Sequence, residues 1–127
     1  MGVAIYIATK EHVAELSSLV DGKAVGRAFE SLNKLSGRLG SKHLDHFVSA
    51  NPEDLADVTG EDAADFPAEQ WFPADDGLVL VNELIYHIEH DVNNPFPADV
   101  LTDLKSYRTA FSLLKNANVE WHFSVDI

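Results

Sequence analysis

Cysteine is absent from this chain of 127 residues. Disulfide bonds, thiolate ligands for a metal ion and a cysteine nucleophile are therefore excluded. Long apolar runs are missing too, because none approaches the roughly twenty residues that span a bilayer. The apolar N-terminal stretch is short and lacks the basic residues that begin a signal peptide. We expect a cytoplasmic protein that does not associate with membranes and whose stability comes from its core.

Lysine and arginine are missing from the middle of the chain. Residues 43–104 contain fifteen Asp and Glu but no Lys or Arg, so their formal charge is −15. Residues 1–42 carry +2 and residues 105–127 carry +1, which gives the total of −12. Such an acidic surface repels nucleic acid and anionic lipid and attracts cations.

The motifs of several enzyme classes are also missing. The seven glycines form neither a phosphate-binding P-loop nor the G-x-G-x-x-G pattern of dinucleotide sites. No serine lies in a G-x-S-x-G turn. Basic patches with interleaved aromatic residues, which mark nucleic-acid-binding proteins, are absent. The sequence favours a protein without enzymatic activity and without a nucleic-acid partner.

The clearest strand patterns lie at the two ends of the chain. An apolar run over residues 2–8 predicts a strand with Val3, Ile5 and Ile7 on one face. Residues 119–127 alternate apolar and polar side chains throughout, which predicts a second strand with one face buried and a polar face toward solvent.

Helical periodicity recurs between these strands. Five helical segments are predicted, of which the third is a short acidic turn: residues 9–20, 23–39, 51–60, 75–91 and 97–118. The short run 44–49 is interpreted as a further strand. A sheet that joins the two terminal strands would pack against the central helices. The prediction is a single α+β domain over residues 1–127, with a small antiparallel or mixed sheet and about four helices.

The acidic middle of the chain contains an aromatic pair, Trp71 and Phe72. Carboxylates around such a pair could form an interface in which the aromatic side chains supply affinity and the charge speeds encounter with a basic partner. The alternative is that the pair caps the core while the acids confer solubility. The residues assigned to this candidate interface are Asp57, Glu61, Asp62, Asp65, Trp71 and Phe72.

Three side chains of the fourth helical segment could bind a divalent metal ion. At about 100° per residue, Glu83, His87 and His90 share one side of the helix, opposite its apolar stripe. Imidazole and carboxylate groups are common ligands of Zn²⁺ and similar ions. A second H-x-x-H spacing occurs at His43 and His46. The alternative is an ordinary solvated helix face, and no cofactor is then expected.

The last strand places His122 between Glu120 and Ser124 on its polar face, with Asp126 further along. Such a cluster could perform acid–base chemistry. We favour the alternative, in which these side chains form the solvent-facing side of an amphipathic strand.

The ending of the chain from Leu104 onward, a helix followed by Trp121-His122-Phe123, resembles the close of many small bacterial proteins, some of them immunity proteins of toxin systems. The resemblance implies no site residues.

Three hypotheses follow from the sequence as a whole: a non-enzymatic, immunity-like module that binds a basic protein, a metal-binding protein or metal-dependent hydrolase, and a module that self-associates through Trp71-Phe72 or the terminal strand. The sequence does not indicate an oligomeric state.

Overall fold

In this computed structural model, six α-helices lie between strand β1 and strand β2 in chain order. The structure describes residues 4–40 and 42–126, without the side chains of Ser17 and Asp126. The element bounds are β1 Ala4–Thr9, α1 Leu16–Leu19, α2 Lys23–Arg27, α3 Phe29–Arg38, α4 Pro52–Thr59, α5 Ala74–His90, α6 Ala98–Ala117 and β2 Trp121–Asp126. Two 3-10 turns cover Leu44–Phe47 and Ala63–Asp65. The predicted placement of Val3 lies outside the described residues, as does residue 127 of the predicted last strand.

The two terminal strands pair with each other, which confirms the predicted α+β fold. Their alignment is antiparallel, with Ala4 opposite Asp126 and Thr9 opposite Trp121. The outer edges of this sheet are partly covered by other segments. The Ile5 N–H donates a hydrogen bond to Gly22 O at 3.0 Å, and a loop covers the β2 edge in the same way. Covered edges oppose pairing with a second chain.

The core lies between the sheet and the two long helices α5 and α6. Its largest fully buried side chains are Trp121, Tyr107, Phe111 and Phe123. The ring of Phe111 lies 4.4 Å from the ring of Trp121, measured between centroids. Phe111 also lies directly against Gly77 of α5, where a Cβ atom would be 2.6 Å from the ring. The absence of a side chain at Gly77 therefore permits the close packing of α5 on α6.

Gly22 is the residue before α2, and a hydrogen bond connects it to β1. Its φ of 76° lies in the left-handed region, which favours glycine. Its carbonyl oxygen accepts hydrogen bonds from Ile5 N at 3.0 Å and from Gly26 N at 2.9 Å. A Cβ atom at this position would overlap the carbonyl oxygen of Ile5. Both conformation and space therefore require glycine here.

Tyr107 of α6 is fully buried beneath this junction. Its hydroxyl group donates a hydrogen bond to the carbonyl oxygen of Ile5. Burial, followed by the nearby charges of Asp103 and Asp21, raises the pKa of Tyr107 well above its usual range. The phenol is therefore held in its neutral, donating form.

Two predicted helices are shorter than their periodicity indicates. Helix α1 begins at Leu16 rather than near residue 9, because Thr9 is still paired in the sheet. The predicted helix 23–39 is divided at Ala28, whose φ of −99° and ψ of 9° are not helical. The part before Ala28 packs on β1 and α6, whereas the part after it packs on α5. The different neighbours account for the bend.

The prediction of a strand over residues 44–49 is wrong, because most of this run forms a 3-10 turn. Side chains of α3 take the backbone N–H groups that a strand would use. Ser36 Oγ accepts from Leu44 N at 3.2 Å, and Asn33 Oδ1 accepts from Asp45 N at 3.0 Å. Such local side-chain acceptors compete with sheet formation.

Several predicted helix ends are confirmed. Asn51 caps α4 by accepting a hydrogen bond from Glu53 N at 2.8 Å. Gly60, at a φ of 76°, ends the same helix in the left-handed region. Asn118 ends α6 in the same way, at a φ of 56°.

Candidate functional site

Residues 50–70 form a segment that we call the acidic excursion. It contains α4 and the second 3-10 turn, and each of its residues is exposed or half-buried. Seven of its 21 residues are acidic, and it has no Lys, Arg or His. The acidic residues are Glu53, Asp54, Asp57, Glu61, Asp62, Asp65 and Glu69. The four that sequence analysis assigned to a binding surface are all exposed.

The two ends of the acidic excursion meet at strand β2. Ser49 donates its N–H to Phe123 O at 3.0 Å, and Ser49 Oγ accepts from Gln70 N at 2.8 Å. Phe72 and Trp121 then exchange two backbone hydrogen bonds, of 2.8 and 3.0 Å. The excursion is therefore a surface loop with a closed base.

Ion pairs neutralise several acidic residues outside the excursion but leave most of the excursion charged. Cations from the flanking segments reach acids on α5 and α6. These pairs are Lys105–Glu89 at 3.1 Å, Lys115–Asp75 at 3.0 Å and Arg27–Asp99 at 2.6 Å. Within residues 4–40 and 42–126, the only contact of an excursion carboxylate with a Lys, Arg or His side chain joins Glu69 to His122. The fold therefore concentrates unpaired negative charge on this loop.

The prediction that His122 faces solvent is wrong, since the residue is 2% exposed. Glu69 Oε2 lies 2.6 Å from His122 Nε2, and the ring of Trp71 covers the imidazole at a centroid distance of 4.7 Å. The polar face of β2 does carry His122 as its alternation indicates. The end of the excursion folds over that face and buries the ring.

Both ring nitrogens of His122 contact hydrogen-bond acceptors. Nδ1 lies 2.9 Å from the carbonyl oxygen of Phe123, so Nδ1 must carry a hydrogen. The contact of Nε2 with the Glu69 carboxyl group requires one more hydrogen between the two atoms. Neither nitrogen is left to exchange a proton with a substrate. This geometry supports a role in holding the excursion on the sheet and gives no support to acid–base catalysis.

The predicted aromatic anchors are half-buried and packed against the protein. Phe72 contacts Phe47, with ring centroids 4.9 Å apart, and Trp121, with centroids 6.1 Å apart. Trp71 lies on His122 as described above. The interpretation that the pair caps the core accounts for these contacts. A direct role of Trp71 and Phe72 in binding stays a prediction.

The residues of the predicted metal site lie along one side of α5. Glu83 and His90 are exposed, and His87 is half-buried with its Nε2 atom 3.9 Å from Asp91 Oδ2. His90 Nδ1 contacts Tyr86 O at 2.8 Å. In the described part of the chain, no group of three or more His, Asp or Glu residues is arranged to hold a metal ion. Metal binding stays a prediction.

The second pair of histidines engages in packing. The ring of His43 lies against Gly37, where a Cβ atom would overlap it. The ring of His46 meets that of Phe47 edge-on at 5.0 Å.

Glu69 is not among the site residues that the sequence predicts. It lies 53 positions from His122, and the acidic residues around it give it no distinguishing pattern. The contact becomes visible only when the base of the excursion is closed on β2.

No helix within the described ranges is both long and apolar enough to span a membrane. No protein-family model, curated protein or solved structure matches this chain.

Proposed function

We propose that this protein is a non-enzymatic binding domain whose acidic excursion recognises a basic surface of another protein. The observation that supports this most directly is the concentration of seven carboxylates on a loop that buries none of its residues. A basic enzyme or toxin that the domain inhibits is the partner class that this charge favours. The resemblance of the chain's ending to immunity proteins agrees with that class.

The charge of the excursion suits fast association. Clustered charge of one sign raises the rate of encounter with an oppositely charged protein, and it does so most strongly at low salt. Helix α4 also exposes Val58, of which 86% is accessible. An exposed apolar side chain among the carboxylates could supply contact area at the centre of the interface.

The test begins with native mass spectrometry of the protein isolated from its own host. We expect a basic protein to be retained at fixed stoichiometry, and a bare monomer would contradict the proposal. The association rate with that protein is then measured for a variant with Asp57, Glu61, Asp62 and Asp65 changed to Lys. We expect a fall of about tenfold or more at low salt.

The control variant carries the same change in net charge at exposed acids outside the excursion, namely Glu11, Glu15, Asp21 and Glu30. Its association rate should fall much less, because the local field at the interface is retained. Equal losses in both variants would show that only the total charge matters, and an unchanged rate in the excursion variant would also refute the proposal.

A further inference from the structure

A second exposed surface runs along α5, away from the acidic excursion in sequence. Val79 and Tyr86 are 58% and 65% exposed, although both are large apolar side chains. They are seven residues apart, so they lie on the same side of the helix, about 10.5 Å apart along its axis. Glu83 lies between them on that side.

Two clefts accompany this side of the helix. The first, of about 260 Å³, lies between α5 and the two residues Gly40 and Lys42, and it reaches Phe47 and Leu80. The second, of about 400 Å³, is lined by Leu39, Tyr86 and His87. Glu83 lines both clefts.

Tyr86 is held in place before any partner arrives. The ring of His90 stacks on it, with centroids 4.1 Å apart and planes 25° apart. His90 Nδ1 also contacts the carbonyl oxygen of Tyr86 at 2.8 Å. An aromatic side chain with little freedom loses little entropy on binding, which favours it as an anchor of an interface.

The charge along this surface favours a basic occupant. Asp76 lines the first cleft and Glu83 lines both, and neither forms an ion pair within the described residues. Lys42 also lines the first cleft, where the two carboxylates outnumber it, and Glu83 is the only acidic residue of the described chain that lines the second. The net charge of −12 adds a long-range attraction for cations.

We infer that this side of α5 docks a basic amphipathic helix of another protein. The two apolar residues of that helix would lie seven positions apart and enter the two clefts. A Lys or Arg midway between them would pair with Glu83. Partner helices in grooves use this spacing of anchors. The inference does not depend on the proposed function, because the two surfaces share no residue.

The test uses a synthetic 15-residue helical peptide with Leu at positions 4 and 11, Lys at positions 7 and 8, and Ala and Lys elsewhere. We expect it to shift the backbone amide resonances of α5 and of Leu39, Gly40 and Lys42 in a ¹⁵N NMR titration. A control peptide of the same composition, with its two Leu residues on opposite sides of the helix, should bind at least tenfold more weakly. Equal binding of the two peptides would overturn the inference.

Variants of the protein identify the contacts. Tyr86→Ala and Val79→Ala should each weaken binding of the peptide about tenfold, and Glu83→Gln should weaken it less. Val92→Ala removes another exposed apolar side chain, one that is 96% accessible, and should change nothing. At about 0.5 M salt, where the long-range attraction is screened, the Lys variant of the excursion should retain binding. Shifts confined to residues 50–70, or no shift at millimolar peptide, would refute this inference and leave the proposed function untouched.

Discussion

Asp103 of α6 accepts a hydrogen bond from the backbone N–H of Val25 at 3.1 Å, across 78 positions of the chain. Val25 lies in the first turn of α2, where backbone N–H groups have no partner within the helix. The N-cap residue, Gly22, has no side chain that could accept a hydrogen bond from them. A carboxylate from another helix therefore caps α2, and it also complements the positive end of the helix dipole. The cap joins α2 to the long helix of the core.

Removal of this cap should destabilise the protein. We expect Asp103→Ala to lower the free energy of unfolding by about 1–3 kcal/mol, because the N–H of the buried Val25 loses its acceptor. Asp103→Asn retains an acceptor oxygen and should cost less. Urea denaturation of both variants measures the difference, and equal losses would show that the charge rather than the hydrogen bond matters.

The buried Tyr107 should make stability depend on alkaline pH. Burial raises its folded-state pKa above the value of about 10 that an unfolded tyrosine has. The stabilisation is then fully present below pH ~10, and it decreases above that pH by about 1.4 kcal/mol per unit, until the folded pKa is passed. The difference in stability between wild type and Tyr107→Phe should be constant below pH ~10 and change by this slope above it. Urea denaturation between pH 8 and pH 11 provides the measurement, and a constant difference throughout would contradict the prediction.

Gly22 and Gly60 share a φ of 76° but differ in their surroundings. No atom lies within 4 Å of a Cβ built at Gly60, whereas the Cβ at Gly22 would overlap Ile5 O. We expect Gly60→Ala to cost about 1–2 kcal/mol, from the backbone conformation alone. Gly22→Ala should cost more than about 3 kcal/mol, because it adds a steric clash. Similar thermal midpoints for the two variants would rule out the clash.

Glu69 should hold the acidic excursion on the sheet. Glu69→Ala leaves the buried His122 Nε2 without a partner and should cost about 1–3 kcal/mol. Glu69→Gln can still hydrogen-bond to either form of the imidazole and should cost less. Hydrogen exchange should accelerate in residues 50–70 of the Ala variant more than in α6. Uniform acceleration through the whole chain would argue against local release.

Local signals in the sequence predicted much of the fold. Asn51 and Pro52 before an acidic turn, and Gly60 after it, define α4 as expected. The alternation of residues 119–127 indicated the last strand, because a half-buried strand repeats every two residues. These features depend only on residues near each other in sequence.

The features that the sequence did not predict depend on contacts between residues far apart in the chain. The burial of His122 depends on Glu69 and Trp71, which cover its ring, and no pattern near His122 in the sequence predicts these contacts. Asp103 gives no sign in the sequence that it caps another helix. The acidic surface was predicted from charge alone, whereas its concentration on one loop follows from the ion pairs that Glu89, Asp75 and Asp99 form elsewhere.

The antiparallel pairing of β1 with β2 determines how the protein resists mechanical force. Ala4 lies opposite Asp126, so a pull applied through these two residues acts at one end of the ladder. In an antiparallel pair the hydrogen bonds run perpendicular to the strands and therefore lie along such a pull. They are loaded one after another, as in the opening of a zipper, rather than all together in shear. Single-molecule stretching between these positions should therefore separate the sheet at low force, well before α5 parts from α6.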